Sequence, residues 1–422
     1  MALGIIRLAS VSARAVASAC FVFALIVTLL FAKWCFANAL STHTAERDAA
    51  ELALALGPDD PQTHYAVAVI DEKTFDPADQ ELSIAEFEKA AALSPYNFLS
   101  WLALAHARDR QGDVAGADRA YSRAAELAPN YSEVKWAYGN FMVRTGREEQ
   151  GFSLISQAAA SSPTLMPNAV TTALSFFDGD VVKVRDLLGN TGLVNICVAK
   201  NAAGKKDFVS AYSSWSLISV DERRLDFHDD GIALSDQLAQ ARQFRMAAMV
   251  VNDVASDTAE HVRVGEITNG SFEKLDQTNK NIFDWQIGSG AGQQIGLNTE
   301  RRTEGEFSLY MVFNTMRADE FRSISQTVAV EPGSTYTLSG SYRSELKGGV
   351  AWEVADAADS KMLAKTSISG TSQDWARFEV HFSVPAASDG ILLRLVRDGC
   401  SSAVCPISGK LWFDGLTLTR QN

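Results

Sequence analysis

The chain carries few side chains in patterns that do chemistry. Its six histidines (His43, His64, His106, His228, His261 and His381) are scattered, with no HExxH and no paired spacing that would seat zinc. No GxSxG elbow presents a serine nucleophile. The glycine cluster GSGAGQQIG at 288–296 lacks the lysine and following helix of a phosphate loop, and reads as a hairpin turn among strands. Acids are plentiful, so a glycosidase-type carboxylate pair stays open on composition alone. The expectation is a chain that is not an enzyme.

The elements around these residues begin with an apolar run. Ala15 to Ala32 are 18 consecutive uncharged, mostly apolar residues, close to the roughly 20 that span a bilayer. Arg7 and Arg14 precede the run with no acid among them, and Lys33 and Trp34 follow as a snorkelling charge and an interfacial ring. This reads as a cytoplasmic N-terminus (1–14) and a transmembrane signal anchor (15–36) in a bacterial inner membrane, single-pass, with all later residues periplasmic. A cleaved secretion signal is the alternative, because Ala37-Asn38-Ala39 has the small-x-small form of a cleavage site.

The cysteines fit that placement. Cys20 and Cys35 lie in or beside the apolar run, and Cys197 stands alone in a helical region. Cys400 and Cys405, in RDGCSSAVCP, read as a short disulfide-closed loop of an oxidising compartment, two buried thiols being the alternative. With no second Cys/His pair nearby, zinc has too few ligands there.

Pro61, Pro95, Pro129 and Pro163 recur every 34 residues, the length of a tetratricopeptide helix pair. Residues 98–131 fit best: Trp101, Leu104 and Ala105 take the large-large-small positions, Gly112 ends the first helix, and Ala117, Tyr121 and Ala124 follow before Pro129. The next unit keeps Tyr138, Gly139, Gly146, Gly151, Ala158 and Pro163; the preceding one is looser, with Asp71 where a small residue is usual. Residues 43–165 thus resemble the tetratricopeptide family, which implies an all-α solenoid whose groove holds protein partners. Residues 166–262 keep three- and four-residue apolar steps without the prolines, and read as degenerate helical repeats, a separate helical cap being the alternative.

At Gly265 short runs rich in β-branched and aromatic residues take over, separated by Gly/Pro/Asp/Ser turns. Tyr336, Leu338, Gly340 and Tyr342 share one strand face, as do Phe378, Val380, Phe382 and Val384; both faces are expected to point inward. ITNGSFE, EPGSTYTLSGSYR, WARFEVHFSVP and LWFDGL together resemble the family 4/9 carbohydrate-binding modules over nearly all of 265–422. The resemblance implies an all-β jelly-roll sandwich with a glycan-binding cleft, and often a structural calcium ion. By position, Glu273 and Asp414 become the calcium-ligand candidates; the family's frequent Asp-Asp pair reads Asp414-Gly415 here, so one acid is missing.

Sugar recognition asks for exposed rings that stack on pyranose faces, with polar groups for the hydroxyls. Trp285, Tyr310, Trp352 and Trp375 supply rings; Trp352 shares its face with Val350 and Val354 and reads as core, leaving Trp285 and Trp375 as the fairer platforms. Arg343, Glu379, His381 and Arg394 add polar groups, with Arg377 beside them.

The formal charge of −13 leaves no basic stripe for phosphates and argues against nucleic acid. The whole reads as a multidomain α and β chain, a membrane-anchored scaffold that binds protein through its repeat groove and polysaccharide through its jelly roll, in polysaccharide or cell-envelope biogenesis. It requires no cofactor beyond the calcium candidate. The alternatives are an assembly adaptor whose jelly roll binds protein, and a glycan-active enzyme.

Overall fold

The computed structural model describes residues 10–74, 76–256, 261–275, 281–290, 292–399 and 404–421; Arg7 and Cys400 lie outside them. About half of the chain is helical, with 15 α-helices and nine strands among the described residues. It divides into two compact units, Met1–Leu188 and Gly189–Asn422.

The first unit opens with α1 (Val11–His43), longer than the expected anchor and long and apolar enough to cross a membrane. Helix pairs follow: α2 (Arg47–Leu56), α3 (Pro61–Glu72), α4 (Pro77–Leu93), α5 (Phe98–Arg110), α6 (Val114–Leu127), α7 (Ser132–Arg144) and α8 (Glu148–Ser161). Side-chain oxygens of Asp60, Asp76, Asn97 and Asp113 cap α3 to α6 in turn, satisfying amides that the first turn leaves unbonded. Pro95, Pro129 and Pro163 each lie two residues past a helix end, whereas Pro61 opens α3 at its first position. Gly112 and Gly146 turn the chain at φ of +81° and +83°, a region open to glycine.

Close approach between helices is made by small residues. Ala105, Ala117 and Ala124 are fully buried, and Tyr121 stacks on Tyr138 of the following helix at 5.6 Å. Asp71 is buried too, and the Arg47 guanidinium reaches it at 3.1 Å while also holding Asp79 and Glu51. One arginine thus ties α2 to α3 and α4, and supplies the charge that lets an acid stand where a small residue is usual. The unit closes with α9 (Met166–Phe176) and α10 (Val181–Leu188).

The second unit joins helices to strands. Its helices are α11 (Gly192–Gly204), α12 (Phe208–Ser216), α13 (Val220–Leu225), α14 (His228–Gln240) and α15 (Phe244–Val254), and all but α13 share one apolar cluster with Phe283 and Ala329 of the strand region. Trp215 is fully buried in it, its Nε1 donating to Asp253 at 2.9 Å. α15 lacks a cap of its own, and Asp389 provides one: the amides of Phe244 and Arg245 donate to its two oxygens at 3.1 and 3.0 Å. Arg245 also pairs with Glu331 at 3.1 Å.

Replacing Asp389 with alanine is therefore expected to cost about 1–2 kcal/mol of local stability, a lost cap plus its charge at a helix N-terminus. Hydrogen exchange should show faster exchange at Ala247 to Val251, with the strand amides unchanged. Unaltered α15 protection would rule the anchoring role out.

The nine strands are β1 (Gln286–Ile287), β2 (Gln293–Asn298), β3 (Ser308–Arg317), β4 (Ile324–Ala329), β5 (Thr335–Asp356), β6 (Met362–Thr371), β7 (Ala376–Ser383), β8 (Gly390–Asp398) and β9 (Val404–Arg420). All pairings are antiparallel, in the order β1-β4-β8-β5-β9-β3-β2, with β6 and β7 also on β5. β5 holds the curled sheet together. Its first half pairs with β7 and β9, its second half with β6 and β8. The change falls at Gly348, whose φ of +114° bends the strand. Trp352 from the second half then meets Phe413 of β9 edge-on at 5.2 Å in the core. Tyr336, Leu338, Phe378 and Phe382 point inward as expected.

Candidate functional site

The outer face of the β3-β9-β5-β7 segment carries a polar-aromatic cluster. Strand alternation creates it: Leu411 and Phe413 point inward and are fully buried, so Trp412 between them points outward. Register places Trp412 beside Tyr310 on one side and Arg343 on the other. The Tyr310 and Trp412 rings lie 5.1 Å apart. The Arg301 guanidinium sits 4.4 Å over the Trp412 ring and pairs with Glu345 at 2.8 Å. Trp412 is therefore only 3% exposed, although it stands on the outer face.

Two buried N–H donors in this cluster find no acceptor among the described residues: Trp412 Nε1 and Arg343 Nε. They belong to residues directly opposite each other in the ladder. Buried donors are almost always paired, and leaving each unpaired costs about 1–3 kcal/mol. Ligand oxygens would satisfy both at once.

The residues expected to form a site are distributed over several places. Arg343 belongs to the cluster just described. Glu379 and His381 lie exposed on the outer face of β7, 3.5 Å apart, with His381 Nδ1 2.8 Å from Thr337 Oγ1. Trp375 is half-buried just before β7. Arg394 stands on β8 and donates Nε to Glu353 at 2.9 Å, so it belongs to the other half of the sheet.

Trp285 offers no platform. It is 4% exposed, stacked on Phe272 at 5.0 Å and packed on Trp352, with Nε1 donating to the Asn269 carbonyl at 3.0 Å. β1, which follows it, is two residues long, and the irregular chain before it turns the ring into the core. The Trp412–Tyr310–Arg301–Glu345 group was not assembled from sequence. Alternation around Trp412 was a readable signal, but Arg301 comes from a loop and Glu345 from the bend in β5.

Glu273 and Asp414 both grip the loop at 303–307. Asp414 Oδ2 accepts from the Thr303 and Glu304 amides and the Thr303 hydroxyl, at 2.5, 3.1 and 2.8 Å. Glu273 accepts from the Glu306 and Phe307 amides at 2.9 and 3.4 Å. Asp414 Oδ1 is buried without a partner. The surroundings of these carboxylates are N–H donors, where calcium asks for six to eight oxygens. Among the described residues no three acidic, histidine or cysteine side chains are placed so as to hold a metal ion. As placed, the pair acts as a loop clamp and does not form a calcium shell.

Cys405 is disulfide-bonded; Cys400, the partner expected for it, lies outside the described residues. Burial pushes the Cys197 thiol up to about 11, which leaves it protonated and a poor nucleophile at neutral pH.

No family model matches the chain, and no curated protein matches it. Among solved structures, one described as CBM4 structure and function is 19% identical over 37% of this chain and 99% of its own, at a TM-score of 0.27. The CBM22-1 xylan-binding domain of Paenibacillus barcinonensis Xyn10C is 16% identical over 36% of this chain and 91% of its own, at 0.26. A structure of MamA is 22% identical over 28% of this chain and 66% of its own, at 0.25. TM-scores this low carry no functional argument.

Proposed function

We propose that this chain is a non-catalytic, membrane-tethered scaffold of the cell envelope. The helix pairs form a tetratricopeptide-type solenoid that holds a protein, and the curled sheet is a jelly-roll module that grips polysaccharide. The single observation that carries the glycan reading is the outer-face cluster. The Tyr310 ring is half-exposed, two buried donors await oxygen atoms, and cationic side chains surround them. Arg301 is neutralised by Glu345, but Arg343, Arg377 and Lys410 make no ion pair among the described residues. This balance favours an acidic glycan.

Tethering draws on the end of α1. The helix runs unbroken through Ala37-Asn38-Ala39, where a cleavage site was the alternative. Ala37 is fully buried against the first helix pair, and Asn38 donates to Asp60 at 3.3 Å. Removing residues up to this point would strip packing from α2 and α3, which supports retention of the segment as an anchor, with the residues after it on the periplasmic side.

Affinity electrophoresis of the detergent-solubilised full chain tests the glycan reading, with polygalacturonate as acidic probe and dextran as neutral probe. Polygalacturonate should retard the chain, less so at high salt. Arg343→Gln, a mild change at a half-buried position, should weaken retention about tenfold, the worth of one charge-assisted hydrogen bond. Absence of retention on both probes would favour the adaptor, in which the sheet module holds protein.

A further inference from the structure

A second pocket lies on the other half of the same unit. It occupies about 790 Å³ between the end of α14, the turn at 281–286 and the outer face of β4 and β8, within the range of small-molecule sites. It arises because α14 and α15 pack on the end of the sheet, with Asp389 and Glu331 holding α15 in place. The helix therefore walls off part of a strand face that would otherwise be open. The pocket shares no residue with the Tyr310–Trp412 cluster.

Its lining is mixed in a specific way. Asp236 contributes a carboxylate and Arg242 a guanidinium, and neither side chain has a hydrogen bond or ion pair among the described residues. Gln240 adds an amide, and Ser325 and Thr327, two apart on β4 and so on one face, add hydroxyls. Leu392 and its neighbours supply an apolar floor. Burial pushes the Asp236 carboxyl above the usual carboxylate range, so hydrogen-bond donors brought by a ligand would relieve an existing cost.

The geometry points to a binding site for a short neutral saccharide in this helix–sheet pocket. One anion and one cation cancel, so the pocket exerts little net charge on a ligand. The remaining groups are neutral donors and acceptors, matched to hydroxyls that both donate and accept. A dipolar ligand such as a peptide terminus would use the charged pair and leave the neutral side chains unpaired, at a cost for each. The site stands apart from the glycan reading of the outer face: either holds if the other fails.

The test is saturation-transfer NMR and calorimetry on the detergent-solubilised full chain. N-acetylglucosamine, galactose and cellobiose serve as saccharide probes, and glycylglycine as the dipolar comparator. At least one saccharide should bind, and Thr327→Val, which keeps the side-chain volume, should weaken it about threefold to tenfold. Asp236→Asn should weaken it by about tenfold or more, while Arg343→Gln on the other face should leave it unchanged. Circular dichroism confirms that the variants fold, and Gln240→Ala provides an exposed substitution if either of the others does not. Failure of every saccharide to bind, preference for glycylglycine, or binding indifferent to the pocket variants would overturn the proposal.

Discussion

Trp352→Ala is expected to remove about 3–5 kcal/mol from the stability of the unit that holds the sheet, the usual cost of emptying a large aromatic from a core. Trp352 is fully buried, meets Trp285 at 5.8 Å and Phe413 at 5.2 Å, and so joins the second half of β5 to β9 and to the chain before β1. Its Nε1 has no acceptor among the described residues, so packing is what the substitution loses, with no buried partner left unsatisfied. Most single substitutions cost 0.5–3 kcal/mol, so the value would stand out. Chemical denaturation followed by far-UV circular dichroism should show an earlier transition for this unit, with the helix-pair transition unmoved. A loss below about 1 kcal/mol would mean that the cavity collapses and that the ring is no keystone.

The second large effect is expected in the helix pairs. Gly151 of α8 and Gly139 of α7 face each other backbone to backbone. A β-carbon at Gly151 would stand 2.7 Å from the Gly139 carbonyl oxygen and 2.8 Å from the Val143 nitrogen; one at Gly139 would stand 2.8 Å from the Gly151 oxygen. Backbone has no rotamer with which to give way, so Gly151→Val must push the helices apart. About 1–3 kcal/mol, or more, follows from overpacking. Gly204→Ala is the control, since nothing lies within 4 Å of its added carbon; there alanine's better helix propensity should leave stability equal or higher. Thermal unfolding that treats the two substitutions alike would refute the close crossing.

The helix pairs were the most legible part of the chain, because the physical demands on them are local. A repeat that must stop a helix at a fixed place keeps a proline there, and helices that touch keep Gly139, Gly151, Ala105 and Ala117 small. Pro61 shows the limit: it keeps the period but opens a helix where the others follow one. The strand faces were legible for the same reason, since alternation is a property of each strand alone. The site was harder to read. Trp285 was expected exposed because it sits at a strand edge, but two-residue β1 carries no alternation to orient it. Arg301 reaches Trp412 from a loop and Glu345 from a bend, positions that spacing along the chain does not encode. Helices α11 to α15 looked like more of the stack, and the cluster that α11, α12, α14 and α15 share with Phe283 and Ala329 depends on contacts distant in sequence.

The place of β9 between β5 and β3 bears on how the chain is made. Its residues, 404–420, leave the ribosome after the other eight strands of the sheet, yet they fill its middle. Until they emerge, β3 with its neighbour β2 has no strand ladder to the rest of the sheet, and both β5 and β3 present open edges of the kind that recruit foreign strands. In nascent chains the sheet should thus stay pliable until residues 404–420 have emerged. Products cut short before residue 404 are expected to be degraded or to aggregate, while the helix pairs ahead of them are already complete.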